Sequence, residues 1–267
     1  MTYFTIKEKL DARLYTMYNI YSDIKFKLDG NAGRTLQSNE KYKKLHQGEQ
    51  CFIIGTGPSI NTLSDREVDC LAKHKTIAVN SMYKASRLKS IVPNYYALLD
   101  NNYWGRSSNS FLEIGNRYKE NSPIFITDLR AKEIASKNGE AIYVYAKNYP
   151  DKLMRFDLKG NISATMNVVG TSILTALYMG FTEIYLLGCD YNSFCESTGA
   201  HCYDDAEEIN TLPTYNLAFY LKYYALTTEF HYLIASTAKQ MGVKIINISN
   251  KSLLDAYPRK RSIDYLQ

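Results

Sequence analysis

Five residues, Gly55, Thr56, Gly57, Pro58 and Ser59, follow directly on the apolar run Cys51, Phe52, Ile53 and Ile54. Glycines after a strand permit a tight turn and close backbone approach, and exposed amides with the Thr56 and Ser59 hydroxyls can bind phosphate oxygens. The motif is neither the dinucleotide fingerprint, for want of a third glycine at the required place, nor the Walker loop, for want of a lysine. A plain strand-to-helix turn would use the same residues, and Pro58 and Ser59 suit a helix start. Asn80 and the pair Asp100 and Asn101 also follow apolar runs. They could read a ribose or base once a phosphate is held nearby, although each alone is equally a turn former. Asp190 ends the apolar run EIYLLG. It would be costly to ionise there without partners, so it is either a hydrogen-bond anchor for a loop or a site residue.

For proton transfer the candidate is His201, in the polar stretch GAHCYDD that leaves the Asp190 strand end and can fold back over a pocket. A histidine so placed can act as a general base near neutral pH, or can simply bind or pack. His231, between Phe230 and Tyr232 in a helical stretch, reads as a packed or surface residue and is the second choice of base. His46 and His74 sit in polar, helix-edge surroundings and are expected to be solvated. No HExxH, EF-hand loop or strand-end DxD is present, and the adjacent Asp204 and Asp205 should point apart. No metal ligands and no obligatory cofactor are therefore expected.

The elements that must position these residues follow from the hydrophobic pattern. From residue 50 onward, short apolar runs (CFIIG, TIAVN, NYYALLD, SPIFIT, AIYVYA, EIYLLGCD, VKIINIS) alternate with helical patterns near 64–73, 168–179 and 215–241. Such alternation predicts an α/β fold: a Rossmann-like, mostly parallel sheet flanked by helices, whose ligands collect beyond the carboxyl ends of the strands. Ahead of it, Leu10, Leu14, Met17, Tyr21 and Ile24 recur at helical spacing, with Lys7, Lys9, Arg13, Lys25 and Lys27 on other faces. This predicts an amphipathic N-terminal helix that packs on its own domain or on a second subunit, or docks on a membrane surface. The polar segment 29–50 predicts a linker or loop, dividing the chain into a helical appendage, 1–49, and a nucleotide-sugar-binding catalytic domain, 50–267.

A chain of 267 residues can bury one substantial core. Its charge of +5 is too small for a dedicated nucleic-acid binder but suits anionic substrates or an anionic membrane surface. The 24 tyrosines suit stacking on bases and sugars. Five cysteines without a CxxC pair argue against a zinc site or disulfide framework and fit a reducing compartment. No apolar run is long enough to cross a bilayer, and the first residues lack the apolar core of a signal peptide. A cytoplasmic protein is expected, with peripheral contact on the inner membrane face as one use of the first helix.

Taken in order, IIGTGPSI, VNSMY, ALLD, GFTEIYLLGCDYN, the HCYDD loop and KIINISNKSLLDAYPR resemble the family of 6-hydroxymethylpterin diphosphokinase (MptE-like) proteins. They are also similar to the bacterial lipooligosaccharide sialyltransferases, which share the opening strand with GPS and the later EIYL strand. The second resemblance implies metal-independent, inverting transfer of a sialic-acid-like or other acidic sugar from a CMP-linked donor to a surface glycan or lipid-linked acceptor. Under it, residues 55–59 and Asn80 hold the nucleotide phosphate and ribose, and Gly188 and Asp190 line the cytidine side. Tyr191 or Tyr203 would assist the departing phosphate, and Thr171 and Ser172 stand for a Thr-Ser pair of that family. The chain departs from the pattern at the base, because no histidine falls at about 216–228. The first resemblance implies instead diphosphate transfer from ATP to a pterin-type alcohol, which would require Mg²⁺.

Overall fold

A computed structural model describes residues 3–105, 109–195, 200–206 and 215–267, with side chains from residue 10 onward. Eight strands form one sheet: β1 (Gln50–Ile54), β2 (Lys75–Val79), β3 (Tyr95–Leu98), β4 (Ile124–Asp128), β5 (Ala141–Asn148), β6 (Asn161–Ser163), β7 (Glu183–Leu187) and β8 (Lys244–Asn247). Their order is β6-β5-β4-β3-β2-β1-β7-β8, and every pairing is parallel. Covered on both faces, such strands read as unbroken apolar runs, and residues 51–54 are all buried. The order runs outward from β1 to β6 on one side and from β7 to β8 on the other. The chain therefore reverses its direction of winding between β1 and β7, where a crevice opens beyond the strand ends.

Helices α1 (Tyr3–Leu28), α2 (Gly30–Gln37), α3 (Asp65–Leu71), α4 (Ser110–Arg117), α5 (Lys132–Asn138), α6 (Val168–Met179) and α7 (Leu217–Gln240) surround the sheet. α6 is the central one. Residues 170–179 are all buried between the sheet and α7, which explains an apolar character on all sides. Asn167 caps its start, accepting from the amides of Val169 and Gly170, and Gly180 ends it in the left-handed conformation. None of the helices described is long and apolar enough to cross a membrane.

The segment 29–49, expected to be a linker, is folded onto the sheet. It forms α2 and a turn of 3-10 helix at Ser38–Tyr42, and Asn39 is fully buried. The Asn39 amide group donates to Tyr143 O and Leu158 O at 2.7 and 2.8 Å, and its Oδ1 accepts from Tyr143 N at 3.2 Å. Polar residues here are buried because they satisfy backbone groups far along the chain, which a local polarity pattern reads as solvation. His46 is likewise buried, with Nε2 2.6 Å from the Tyr95 hydroxyl and its ring stacked on Phe181. His74 is half-buried against Phe52 and Gln50.

α1 is amphipathic in the reverse of the usual sense. Its polar residues face the protein: Asn19 pairs with both backbone groups of Tyr149, and Ser22 donates to Lys147 O. Asp23 accepts from Asn148, Asn161 and Arg155. Leu10, Leu14, Met17, Tyr21, Ile24 and Leu28 are each more than half exposed.

Candidate functional site

The turns that leave β1 and β7 meet at the crevice and are packed too closely for side chains. A Cβ on Gly55 would lie 2.4 Å from Gly188 O, and one on Gly57 would lie 2.5 Å from Asp190 Cγ. Gly188 itself has φ +65°. The backbone is cross-linked as tightly: Gly55 N donates to Leu187 O at 2.7 Å and Gly57 N to Gly188 O at 2.8 Å. Asp190, 5% exposed, completes the clasp. Its Oδ2 accepts from Ser59 N at 2.8 Å and its Oδ1 from the Ser59 hydroxyl. Burial raises the Asp190 pKa, while the two bonds from Ser59 oppose the shift. Of the two roles open to Asp190, the geometry displays the anchor, and the Ser59 donors expected to face a phosphate are engaged by it. Thr56 is the residue of this turn that lines the chamber with its amide and hydroxyl unpaired among the described residues.

Beyond these turns lies a chamber of about 300 Å³. Asn80 forms part of its wall, in the left-handed conformation (φ +50°) that few non-glycine residues adopt. Its carbonyl accepts from the Tyr96 hydroxyl at 2.9 Å, and its side-chain Oδ1 is buried with no partner among the described residues. Strain combined with an orphaned acceptor is the state in which a side chain has an atom to offer a ligand.

The stretch 200–206 does fold back over this chamber. Cys202 N donates to Thr56 O at 2.8 Å, tying it to the β1 turn. His201 lines the chamber, and its Nδ1 is 2.7 Å from Oδ2 of the buried Asp205. The carboxylate fixes the proton on Nδ1 and leaves Nε2 as acceptor, the arrangement a general base requires. Tyr203 does not line the chamber; it stacks on the His201 ring, with centroids 5.1 Å apart. Asp205 is a partner that reading Asp204 and Asp205 as an adjacent pair missed. The four-residue spacing from His201 was its signal.

His231 forms another part of the wall, 1% exposed, with Nδ1 2.9 Å from the Tyr257 hydroxyl and Nε2 buried without a partner among the described residues. Burial lowers its pKa to about 4, so it is neutral at pH 7. Tyr191 (φ +59°) packs edge-on against His231 and Tyr224, and its hydroxyl donates to Thr227. Burial pushes the Tyr191 pKa up to about 12.

A second chamber, of about 470 Å³, adjoins the first and shares Asn80, Asn167, Val168 and Tyr223 as walls. Asp100 lines it, with Oδ1 capping the short turn at Asn102 N, 2.9 Å away. Asn101 is exposed and lines neither chamber. Thr171 lines the second chamber, with Oγ1 2.7 Å from Thr165 Oγ1. Ser172 lines neither, its hydroxyl donating along the helix to Val168 O at 2.8 Å. Adjacent helical residues project about 100° apart, so one of this pair had to turn away. The expected site thus divides: Gly55, Thr56, Gly57, Asn80, Gly188, Asp190, Tyr191 and His201 converge on the first chamber, and Asp100 and Thr171 on the second. Pro58 and Ser59 start the 3-10 turn behind the clasp. Among the described residues no group of three or more His, Cys, Asp or Glu could hold a metal ion.

No curated protein matches the sequence. Among solved structures, the MAf glycosyltransferase from Magnetospirillum magneticum AMB-1 superposes with a TM-score of 0.48 at 14% identity. The alignment covers 87% of this chain and 38% of that one, so this chain spans well under half the length of that protein. Residues 19–194 match the family described as 6-hydroxymethylpterin diphosphokinase MptE-like. The match runs from within α1 through β7 and takes in both turns of the clasp, while the His201–Asp205 pair lies beyond it. On that extent the chain belongs to the 6-hydroxymethylpterin diphosphokinase MptE-like family.

Proposed function

We propose that the protein is a glycosyltransferase that moves a sialic-acid-like or other acidic sugar from a CMP-activated donor to a bacterial surface glycan or lipid-linked acceptor, with inversion and without an obligatory metal. The observation that carries this reading is the His201–Asp205 pair, set in the wall of the chamber at the winding reversal of the sheet. In the reaction the acceptor hydroxyl oxygen attacks the anomeric carbon, the bond from that carbon to the phosphate oxygen breaks, and CMP departs. The hydroxyl proton passes to Nε2 of His201, and Asp205 stabilises the resulting imidazolium. Asn80 and Thr56 offer the free polar atoms that would meet the nucleotide, and the neutral His231 offers its Nε2.

The charge of the chamber wall supports a donor with a single phosphate. No lysine or arginine lines the first chamber among the described residues, whereas a triphosphate would need several positive charges around it. The family description favours the second reading, diphosphate transfer from ATP to a pterin-type alcohol, in which Mg²⁺ would supply that charge and His201 would again take a hydroxyl proton. Incubating the full chain with CMP-sugars, UDP-sugars and ATP, with and without chelator, separates the two. CMP release that survives chelation is the expected result; strictly Mg²⁺-dependent release of AMP from ATP would replace the first reading by the second.

A further inference from the structure

The second chamber holds a lysine placed there by a defect in the sheet. Along the β5–β6 pairing Ala146 is opposite Ile162 and Asn148 is opposite Ser163, so Lys147 has no partner in the ladder. In an unbroken strand consecutive side chains point to opposite faces. Here Ala146 and Lys147 both line the chamber, the redirection of a side chain that a bulge produces. Both backbone groups of the bulge are satisfied by side chains from other elements. Lys147 N donates to Asn161 Oδ1 at 3.1 Å, and Lys147 O accepts from Ser22 Oγ of α1 at 3.2 Å.

The ammonium group at the end of this side chain makes no ion pair or hydrogen bond among the described residues. Asp128, the acid whose field favours the charged form, is held by Arg130 through two bonds of 2.8 and 2.9 Å, and Arg130 in turn lies over the Trp104 ring. Asp100 is engaged at its own turn. Lys147 is half-buried, and burial lowers its pKa. A cation so placed is costly to keep charged until an anion pairs with it.

We infer that the second chamber is an anion subsite, in which Lys147 holds a carboxylate or phosphate group of the substrate bound beside the nucleotide. The inference rests on the first chamber being the nucleotide site. It also gives α1 a structural task, since Ser22 of that helix braces the bulge.

Calorimetric titration of the full chain with N-acetylneuraminate, its neutral methyl ester and inorganic phosphate tests the subsite, and a parallel titration with CMP tests the first chamber. The wild-type protein should bind at least one of the two anions, and the arm that binds identifies the group. If the carboxylate is the group held, the ester should bind about tenfold or more weakly than the acid. Lys147→Met should weaken the bound anion about tenfold, Lys147→Arg should restore most of the affinity, and CMP affinity should stay unchanged in both. Equal anion affinity in Lys147→Met and wild type, or no anion binding by wild type, would overturn the subsite. Loss of CMP binding alone, with anion binding intact and dependent on Lys147, would overturn the nucleotide reading and uphold the subsite.

Discussion

The β1 and β7 turns and the residues Asn80, His201 and His231 line one chamber, yet their polar atoms are in opposite states. In the turns, the Gly55 and Gly57 amides donate to Leu187 O and Gly188 O, and the Ser59 amide and hydroxyl to the two Asp190 oxygens, with Thr56 alone of the glycine-rich turn keeping its amide and hydroxyl unpaired among the described residues. Elsewhere in the chamber wall, Asn80 Oδ1 and His231 Nε2 have no partner among the described residues, and His201 is bonded on the nitrogen that leaves Nε2 to accept. A paired polar group holds architecture, whereas an unpaired buried one is costly unless a ligand meets it. On this comparison the glycine-rich motif is chiefly a clasp that joins two strand ends, and most polar atoms left for a ligand belong to other residues of the wall.

Four substitutions test that division. His201→Ala should lower turnover by about 10²–10⁴-fold while leaving nucleotide affinity near wild type, as expected of a general base, and should cost about 1–3 kcal/mol of stability because the buried Asp205 carboxylate loses its donor. Steady-state kinetics beside a melting curve reads this, and unchanged turnover would move the base to His231. Gly55→Ala should act on the other wall and through the fold, costing about 3 kcal/mol of stability in a denaturant titration. Its Cβ would meet a backbone carbonyl oxygen at 2.4 Å, which no side-chain rotation can relieve. A stable Gly55→Ala protein with weakened nucleotide binding would mean that the turn is a ligand site after all.

His231 separates the walls by pH. Burial lowers its folded pKa to about 4 from the ordinary histidine value of about 6.5. The unfolded chain therefore binds the extra proton first, and the stability contributed by the neutral form is present above about pH 6.5 and is lost as pH falls toward 4. Between pH 7 and pH 5 the loss should be about 2 kcal/mol, and His231→Gln should remove that part of the acid sensitivity in urea melts at the two pH values. The smallest effect is expected for Asn80→Ala. Loss of one unpaired acceptor should weaken CMP binding about tenfold with little change in stability, and a large stability loss would assign Asn80 to the architecture instead.

Much of the sheet was legible because a buried parallel strand centres on an apolar run, as β1, β2, β3, β4, β5, β7 and β8 do. β6 was not, since Asn161, Ile162 and Ser163 are too few to show a pattern, and its pairing depends on the bulge at Lys147. Segment 29–49 misled because Asn39 and His46 are buried by partners more than 45 residues away. In the site, the strand-end rule brought Gly55, Asn80 and Asp190 to the wall of one chamber, because the position follows from topology alone. Whether a residue there faces a ligand or a neighbouring turn does not, and that decided the fate of Ser59, Asn101 and Ser172. The His201–Asp205 contact was within reach of spacing; the Lys147 bulge was not, because nothing local distinguishes it from an ordinary strand lysine.

The reversed polarity of α1 ties distant events together. Its inward polar residues hold Lys147 and Tyr149 by hydrogen bonds, while its outward seam of leucine, methionine, tyrosine and isoleucine lies bare. Anything that covers this seam and shifts the helix must either carry the bulge with it or break those bonds. The energy of occupying the outer surface and that of filling the second chamber are then linked, and by thermodynamic reciprocity each would report on the other.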